Sequence, residues 1–256
     1  MPTWVCVPSA RPVAEVRAWA AHWHERGYKV ALWRDRAEPE LKTCQIDWLT
    51  IDTYPGYAQA ANSLIASVLK VDPSCDWCVA TGDDTFPDMG HRADEIASQC
   101  SEHFRKLALS KLLGDRKECF IAAMEDGVKL QTFGVCQPTG DRFAEGSIDR
   151  ICGSPWLGRE FCRRINQGRG PFWPEYTHCF GDEELQNVAE KLGILWQRRD
   201  LIHYHQHYTR VPGRDIGQVK APPPHLVEAT SAAHWVKYKA LFEKRKAEGF
   251  PGSAPL

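Results

Sequence analysis

The stretch Asp76-Trp77-Cys78-Val79-Ala80-Thr81-Gly82-Asp83-Asp84-Thr85-Phe86-Pro87-Asp88 decides the fold. Its apolar run predicts a short buried strand, and Gly82 ends that strand just before two adjacent carboxylates. Ligands of open α/β sheets lie at the carboxyl ends of the strands. Adjacent carboxylates repel each other, and a hard cation such as Mg²⁺ or Mn²⁺ stabilises both charges. The stretch therefore predicts a metal–diphosphate site, and the alternative is a simple polar turn.

The composition is that of a globular protein. The chain has 256 residues, of which 43% are hydrophobic and 25% charged. A net charge of -1 gives no overall field toward nucleic acid, and no run is apolar enough to span a membrane. Several of the 10 cysteines lie in apolar segments, which predicts reduced thiols and a cytoplasmic location. Cys75-x-x-Cys78 also allows a zinc or redox interpretation, but no second pair at zinc-finger spacing accompanies it.

Strand and helix patterns alternate on both sides of the acidic stretch, which predicts an α/β fold with right-handed crossovers. The predicted strands are Trp4–Pro8, Tyr28–Trp33, Trp48–Ile51, Trp77–Ala80, Cys119–Met124, Gln131–Cys136, Ile194–Trp196 and an alternating run over Leu201–Tyr208. The predicted helices are Val13–Arg26, Ala58–Lys70, His91–Leu113, Arg159–Asn166, Glu184–Leu192 and Val227–Gly249. We expect residues 1–210 to form the main domain and residues 211–256 to form a Pro-rich linker and a C-terminal helix.

Polar residues follow the first two strands at the same predicted sheet edge. Ser9 and Arg11 lie in the loop after Pro8, and Arg34 and Asp35 close the second strand. These residues would face a nucleotide, although for each arginine taken alone simple surface charge is the better-supported interpretation. Asn62, in the first turns of a predicted helix, would either bind a neighbouring loop or contact a sugar phosphate.

Two later segments add acids and histidines. Asp182 and Glu183 follow Gly181 at a predicted helix start, where the helix dipole alone also favours acids. If the next segment is extended, His203, His205 and His207 share one face. Such a trio suits a metal or a phosphate, and its alternative is a solvated strand edge.

The order of these parts resembles the inverting glycosyltransferases of the GT-A fold, close to the family 2 type, from Trp4 to about Tyr208. The motifs that carry the resemblance are Val5–Ser9, Tyr57–Asn62, Asp83-Asp84, Gly181-Asp182-Glu183 and the histidine segment. The resemblance implies a GT-A type Rossmann-like mixed sheet flanked by helices, with a C-terminal helical tail. It also implies transfer of a sugar from a UDP- or GDP-sugar to an acceptor hydroxyl with Mn²⁺ or Mg²⁺.

The departures from the family pattern decide the expected roles. Gly82 stands where the first acid of the DxD-type motif is usual, so Asp84 is expected to bind the metal directly and Asp83 to support it. Glu183 stands where Asp is commoner, so the base is either Asp182 or Glu183. One histidine of the later segment would complete the metal site. The aromatic residues expected to stack on sugar or acceptor, or else to pack in the core, are Trp156, Trp173 and Tyr176.

The acceptor is left open by the sequence. One possibility is a hydroxymethylated base in DNA, as modified by phage-encoded glycosyltransferases in the cytoplasm of the bacterial host. Basic residues over 105–117, 159–169 and 237–246 could then contact phosphates, although the net charge argues against it. A protein, a lipopolysaccharide precursor or a small molecule are the other acceptors. The alternative functions are a nucleotidyltransferase, although the first loop lacks a Gly-rich Lys-bearing motif, and a non-catalytic sugar- or nucleic-acid-binding module.

Overall fold

Seven strands form one mixed sheet in this computed structural model, which describes residues 2–38, 40–41, 45–115, 130–141, 149–206, 227 and 231–255. In chain order they are β1 (Thr3–Pro8), β2 (Tyr28–Arg34), β3 (Trp48–Ile51), β4 (Trp77–Ala80), β6 (Val135–Pro138), β7 (Trp156–Gly158) and β8 (Leu195–Arg198). The spatial order is β3-β2-β1-β4-β7-β6-β8. Only β7 runs antiparallel to its two neighbours, so the sheet is mostly parallel.

Helices flank this sheet, as the alternating sequence pattern predicts. They are α1 (Val13–Glu25), α2 (Tyr57–Val71), α3 (Ala93–Asp115), α4 (Arg159–Gly168), α5 (Gly181–Lys191) and α6 (Ala232–Ala247). The predicted α/β class is therefore confirmed, and the architecture is compatible with a Rossmann-like fold. Among the described helices, none combines the length and the apolar character that a bilayer crossing requires.

The acidic stretch begins at the centre of the sheet. All four residues of β4 are buried, because β1 and β7 pair with its two edges and helices cover its faces. This burial explains the continuous apolar run, which is typical of strands covered on both faces. Since β1, β2 and β4 are parallel, the loops that follow Pro8, Arg34 and Ala80 meet at one edge of the sheet.

A second, two-stranded sheet lies beyond that edge. β5 (Thr85–Phe86) pairs antiparallel with β9 (Tyr204–His205), and Thr85 lies opposite His205. Among the described residues of the predicted strand over Leu201–Tyr208, namely 201–206, only Tyr204 and His205 form a strand. Two indole groups of α1 hold the acidic loop in place, since Trp19 Nε1 and Trp23 Nε1 both donate to the carbonyl oxygen of Thr85, at 2.7 and 3.3 Å.

Helix α4 contains a break that the sequence pattern does not predict. Ile165 is extended, and Asn166 and Gln167 are left-handed, with φ of 52° and 59°. The predicted strand Cys119–Met124, the linker at Ala221–Pro224 and the first part of the predicted C-terminal helix lie outside the described residues, apart from Val227.

Candidate active site

The first loop and the acidic loop are joined by direct side-chain contacts. Ser9 Oγ donates to Asp83 Oδ2 at 2.6 Å, and Arg11 Nε lies 3.0 Å from Asp83 Oδ1. The fully buried Arg34 donates through Nη1 to the carbonyl oxygens of Ser9 and Arg11, both at 2.8 Å. Arg34 therefore shapes the loop rather than facing a nucleotide, and Asp83 is already paired with a cation.

Three further residues were expected to contact the nucleotide: Pro8 and Asp35 lie at the sheet edge, whereas Asn62 has a structural role. Pro8 ends β1 opposite Trp33, and Asp35 is exposed at the same sheet edge. Asn62 donates to the carbonyl oxygens of Arg169 and Phe172 and accepts from Phe172 N–H. Its amide thus binds a neighbouring loop, which is one of the two roles expected for Asn62.

Asp84 and His205 meet although 120 residues separate them in sequence. His205 Nε2 lies 3.2 Å from Asp84 Oδ1, and Gln206 N–H donates to the Asp84 carbonyl oxygen at 2.7 Å. Asp141 accepts the His205 N–H at 2.7 Å and fixes that strand from the other side. The structure therefore brings together the acid and one of the histidines that the sequence proposes as metal ligands.

Gly82 leaves room for the observed position of the Asp84 side chain. A Cβ atom on Gly82 would lie 2.7 Å from Asp84 Oδ1, closer than real Cβ contacts. An acid at this position, as in the usual DxD-type motif, would therefore shift the Asp84 carboxylate.

His203 does not belong to this cluster, which corrects the expected face of three histidines. Its side chain is buried, its Nδ1 lies 2.7 Å from Ser154 Oγ, and its Nε2 accepts from Trp156 Nε1 at 3.4 Å. Burial lowers the pKa of His203 to about 4, against the charge of Asp88. His203 is a neutral core residue with both ring nitrogens in use, and His207 lies outside the described residues.

The two candidate bases have different neighbours. Burial raises the pKa of Asp182, while the Glu183 N–H, which donates at 3.0 Å, and the charge of His205 limit the rise. Burial and the charge of Asp182 raise the pKa of Glu183. The charges of Arg150 and of Lys246, which lies in α6, oppose this rise. The charge of His205 therefore acts on Asp182, and those of Arg150 and Lys246 act on Glu183.

The charges of the same acids act on two tyrosines that the sequence analysis did not assign. Burial raises the pKa of Tyr57 strongly, and both Asp182 and Asp84 add to the rise. Burial and the charge of Asp83 raise the pKa of Tyr54 to about 12. Both follow the third strand in the turn that leads into α2, and this position at the carboxyl edge of the sheet is the sequence signal that could have identified them.

The three candidate stacking residues lie in the core, which corrects their expected role. Trp156 and Tyr176 are almost completely buried, and the Tyr176 hydroxyl donates to Glu184 at 2.8 Å. The guanidinium carbons of Arg169 and Arg245 lie 4.2 and 3.4 Å from the ring centroid of Trp173. The Trp173 ring therefore already makes cation–π contacts with two arginines.

The residues around Asp84 supply only part of a metal-ligand set. Among the residues that the structure describes, no group of three or more His, Cys, Asp or Glu side chains is arranged to hold an ion. Asp84 and His205 supply one carboxylate and one imidazole, a partial set that fits Mn²⁺ or Mg²⁺ if a diphosphate supplies further oxygens. Cys75 and Cys78 lie with their Sγ atoms 3.7 Å apart in the buried core and offer no such set.

Comparison of the chain with protein-family models and with curated proteins finds no match.

Proposed function

We propose that the protein is a metal-dependent glycosyltransferase that moves a sugar from a nucleoside diphosphate sugar to an acceptor hydroxyl, with inversion at the anomeric carbon. The observation that carries the proposal is the contact between Asp84 and His205, at 3.2 Å, with Asp182 acting electrostatically on the same histidine. Two segments far apart in sequence thus supply the carboxylate of Asp84 and the imidazole of His205 to one site at the carboxyl edge of the sheet, here called the acidic cleft, and the charge of His205 also acts on Asp182.

Each group has a separate role in the proposed reaction. The loop of Ser9 and Arg11 would bind the nucleotide, with Asp83 positioning Arg11 through their ion pair. Asp84 and His205 would hold Mn²⁺ or Mg²⁺, which when bound neutralises negative charge on the leaving diphosphate. Asp182 would accept the proton of the acceptor hydroxyl as its oxygen attacks the anomeric carbon.

The raised pKa of Asp182 supports the base assignment. A carboxylate that burial has made more basic is a better proton acceptor than a solvated one. A hydroxymethylated base in DNA is one candidate acceptor. The structure also has a basic surface outside the cleft, and such a surface attracts the phosphates of DNA.

Thermal unfolding with nucleotides tests the donor site. UDP or GDP with Mn²⁺ should raise the Tm by about 5 °C at a hundredfold excess over Kd, because the ligand binds only the folded chain. Asp84→Asn should abolish the Mn²⁺-dependent part of the shift. The matched control is Asp94→Asn, since Asp94 is an exposed acid at the start of α3 and should leave the shift unchanged.

Two results would contradict the proposal in different ways. If neither nucleotide shifts the Tm with or without Mn²⁺, the cleft is not a donor site. If a nucleotide sugar binds but no diphosphate is released over long incubation with Mn²⁺, the protein is a binding module on this fold.

A further inference from the structure

A basic groove lies between α2 and α4, outside the acidic cleft. The groove has a volume of about 610 Å³, and its charged lining consists of Lys70, Arg159, Arg163 and Arg169, with no carboxylate among the described lining residues. It runs along α2 from Asn62, little more than one turn after Tyr57, the first residue of that helix. A concave surface whose lining has four cations and no carboxylate favours an anionic ligand, although Glu160 contacts Arg163 at its margin.

Two of these cations are fixed by the fold. Arg159 donates to the carbonyl oxygens of Cys75, Leu69 and Asp72 at 2.7, 3.1 and 2.7 Å. Arg169 donates through Nε to Asn166 O at 3.0 Å and stacks on Trp173. Their guanidinium groups therefore contribute fixed positive charge to the groove without a further loss of side-chain entropy.

The other two cations, Lys70 and Arg163, are exposed at the groove surface. Arg163 contacts Glu160, with Nη1 3.1 Å from Oε1, as a solvent-exposed ion pair. Such pairs contribute little to stability, so the guanidinium can exchange its partner for a phosphate at small cost.

The break in α4 builds one wall of the groove. Asn166 and Gln167 are left-handed, a conformation that costs free energy in residues other than glycine. The Asn166 amide compensates by donating to Gly170 O and Pro171 O, at 2.9 and 3.2 Å. The turn brings Gly168 to Gly170 opposite α2, where Asn62 binds Arg169 O.

The charge of the groove matches one strand of a nucleic acid. From Asn62 to Lys70 the rise of α2 is about 12 Å, so the groove is long enough for more than one phosphate of a strand. Three of the cations are arginines, and since Arg159 already donates through all three of its side-chain nitrogens to backbone carbonyl oxygens, the exposed Lys70 and Arg163 supply the direct phosphate contacts. We propose that this groove binds the sugar–phosphate backbone of one nucleic-acid strand, without reading its sequence.

The proposal concerns binding alone and stands whether or not the acidic cleft transfers a sugar. Its test is the fluorescence anisotropy of a labelled oligonucleotide, single-stranded and duplex, titrated with the full chain at several salt concentrations. Lys70→Gln combined with Arg163→Gln should weaken binding at least about tenfold at low salt. It should also reduce the slope of log K against log salt by about 1.5, as expected for two lost phosphate contacts.

The matched control is Arg92→Gln combined with Lys239→Gln, which removes two exposed cations that do not line the groove. It should leave affinity within about twofold and the slope unchanged. Equal losses in the two double variants would overturn the proposal, as would absence of binding to either oligonucleotide. Competition by polyglutamate at equal charge concentration would also overturn it and would assign the groove to an acidic protein segment. Nucleotide-dependent Tm shifts, measured on the same variants, report separately on the acidic cleft.

Discussion

Adjacent residues of one helix turn can have unlike chemistry, and Asp182 and Glu183 illustrate this. Both carboxyl groups have a pKa raised by burial, but the charge of His205 acts on Asp182 and those of Arg150 and Lys246 act on Glu183. At the start of a helix, successive side chains point about 100° apart, so two neighbours can face different surroundings. The sequence leaves the base open between them, and we propose Asp182.

Separate substitution of the two acids tests this assignment. Asp182→Asn should lower the release of diphosphate from the donor sugar by about 10²–10⁴-fold, since general-base help is lost. Glu183→Gln, the matched control, should change the rate only a few-fold. Because the base works deprotonated, wild-type activity should fall as the pH drops through the pKa of Asp182, which lies above the ordinary 3.8 of an aspartate. Equal losses in the two variants, or none in either, would contradict the assignment.

At the scale of the element, the C-terminal helix α6 is attached to the domain by a buried ion pair. Arg245 donates to both carboxylate oxygens of Glu184 in α5, at 2.7 to 3.1 Å, and lies over the ring of Trp173. Tyr176 donates to the same carboxylate. Phe242 adds an apolar contact by stacking on Phe180. The sequence predicts the helix from its apolar face, but a polar partner 61 positions away leaves no periodic signal.

Breaking this pair should destabilise the whole domain. Arg245→Met should lower the free energy of unfolding by about 3 kcal/mol, because Glu184 would remain as a buried, uncompensated charge. The double variant Arg245→Met, Glu184→Gln should recover most of that loss, since Gln keeps an acceptor for Tyr176. Urea unfolding measures both, with Lys244→Met, a change at an exposed neighbour, as the control. A double variant no more stable than the single one would show that the ion pair is not the source of the loss.

At the scale of the molecule, local patterns predict the sheet but not the contacts between distant segments. The apolar runs of β1, β2 and β4 and their order with the helices follow from periodicity alone. His203 and His205 stand at the same period in sequence, yet one lies in the core against Trp156 and the other beside Asp84. The strand there is only two residues long, so alternation does not extend far enough to place both side chains on one face.

The lowered pKa values of two carboxyl groups, those of Asp72 and Asp88, predict how the stability of the fold depends on pH in acid. Asp72 joins two strands and a turn, since it accepts from Trp4 Nε1 at 2.9 Å, from Lys29 Nζ at 3.0 Å and from Ser74 Oγ at 2.6 Å. Burial opposes ionisation of Asp72, but the hydrogen bonds from Ser74, Trp4 and Lys29 outweigh it and lower the pKa to about 2. The pKa of Asp88 is also lowered, because hydrogen bonds from Ile202 and His91 outweigh the effect of burial.

A carboxyl group whose pKa is lower in the folded chain than in the unfolded chain stabilises the fold only while it is ionised. The contribution of Asp72 is therefore complete above its unfolded value of 3.8 and is lost as the pH falls toward about 2. Asp72→Asn should lower the free energy of unfolding at pH 7 by about 1 kcal/mol, a value reduced by solvent screening of the Lys29 pair. The difference from wild type should shrink steadily below pH 4. Urea unfolding at pH 7, 4 and 2.5 measures it, and a constant difference across that range would mean that the side chain acts through its shape and not through its charge.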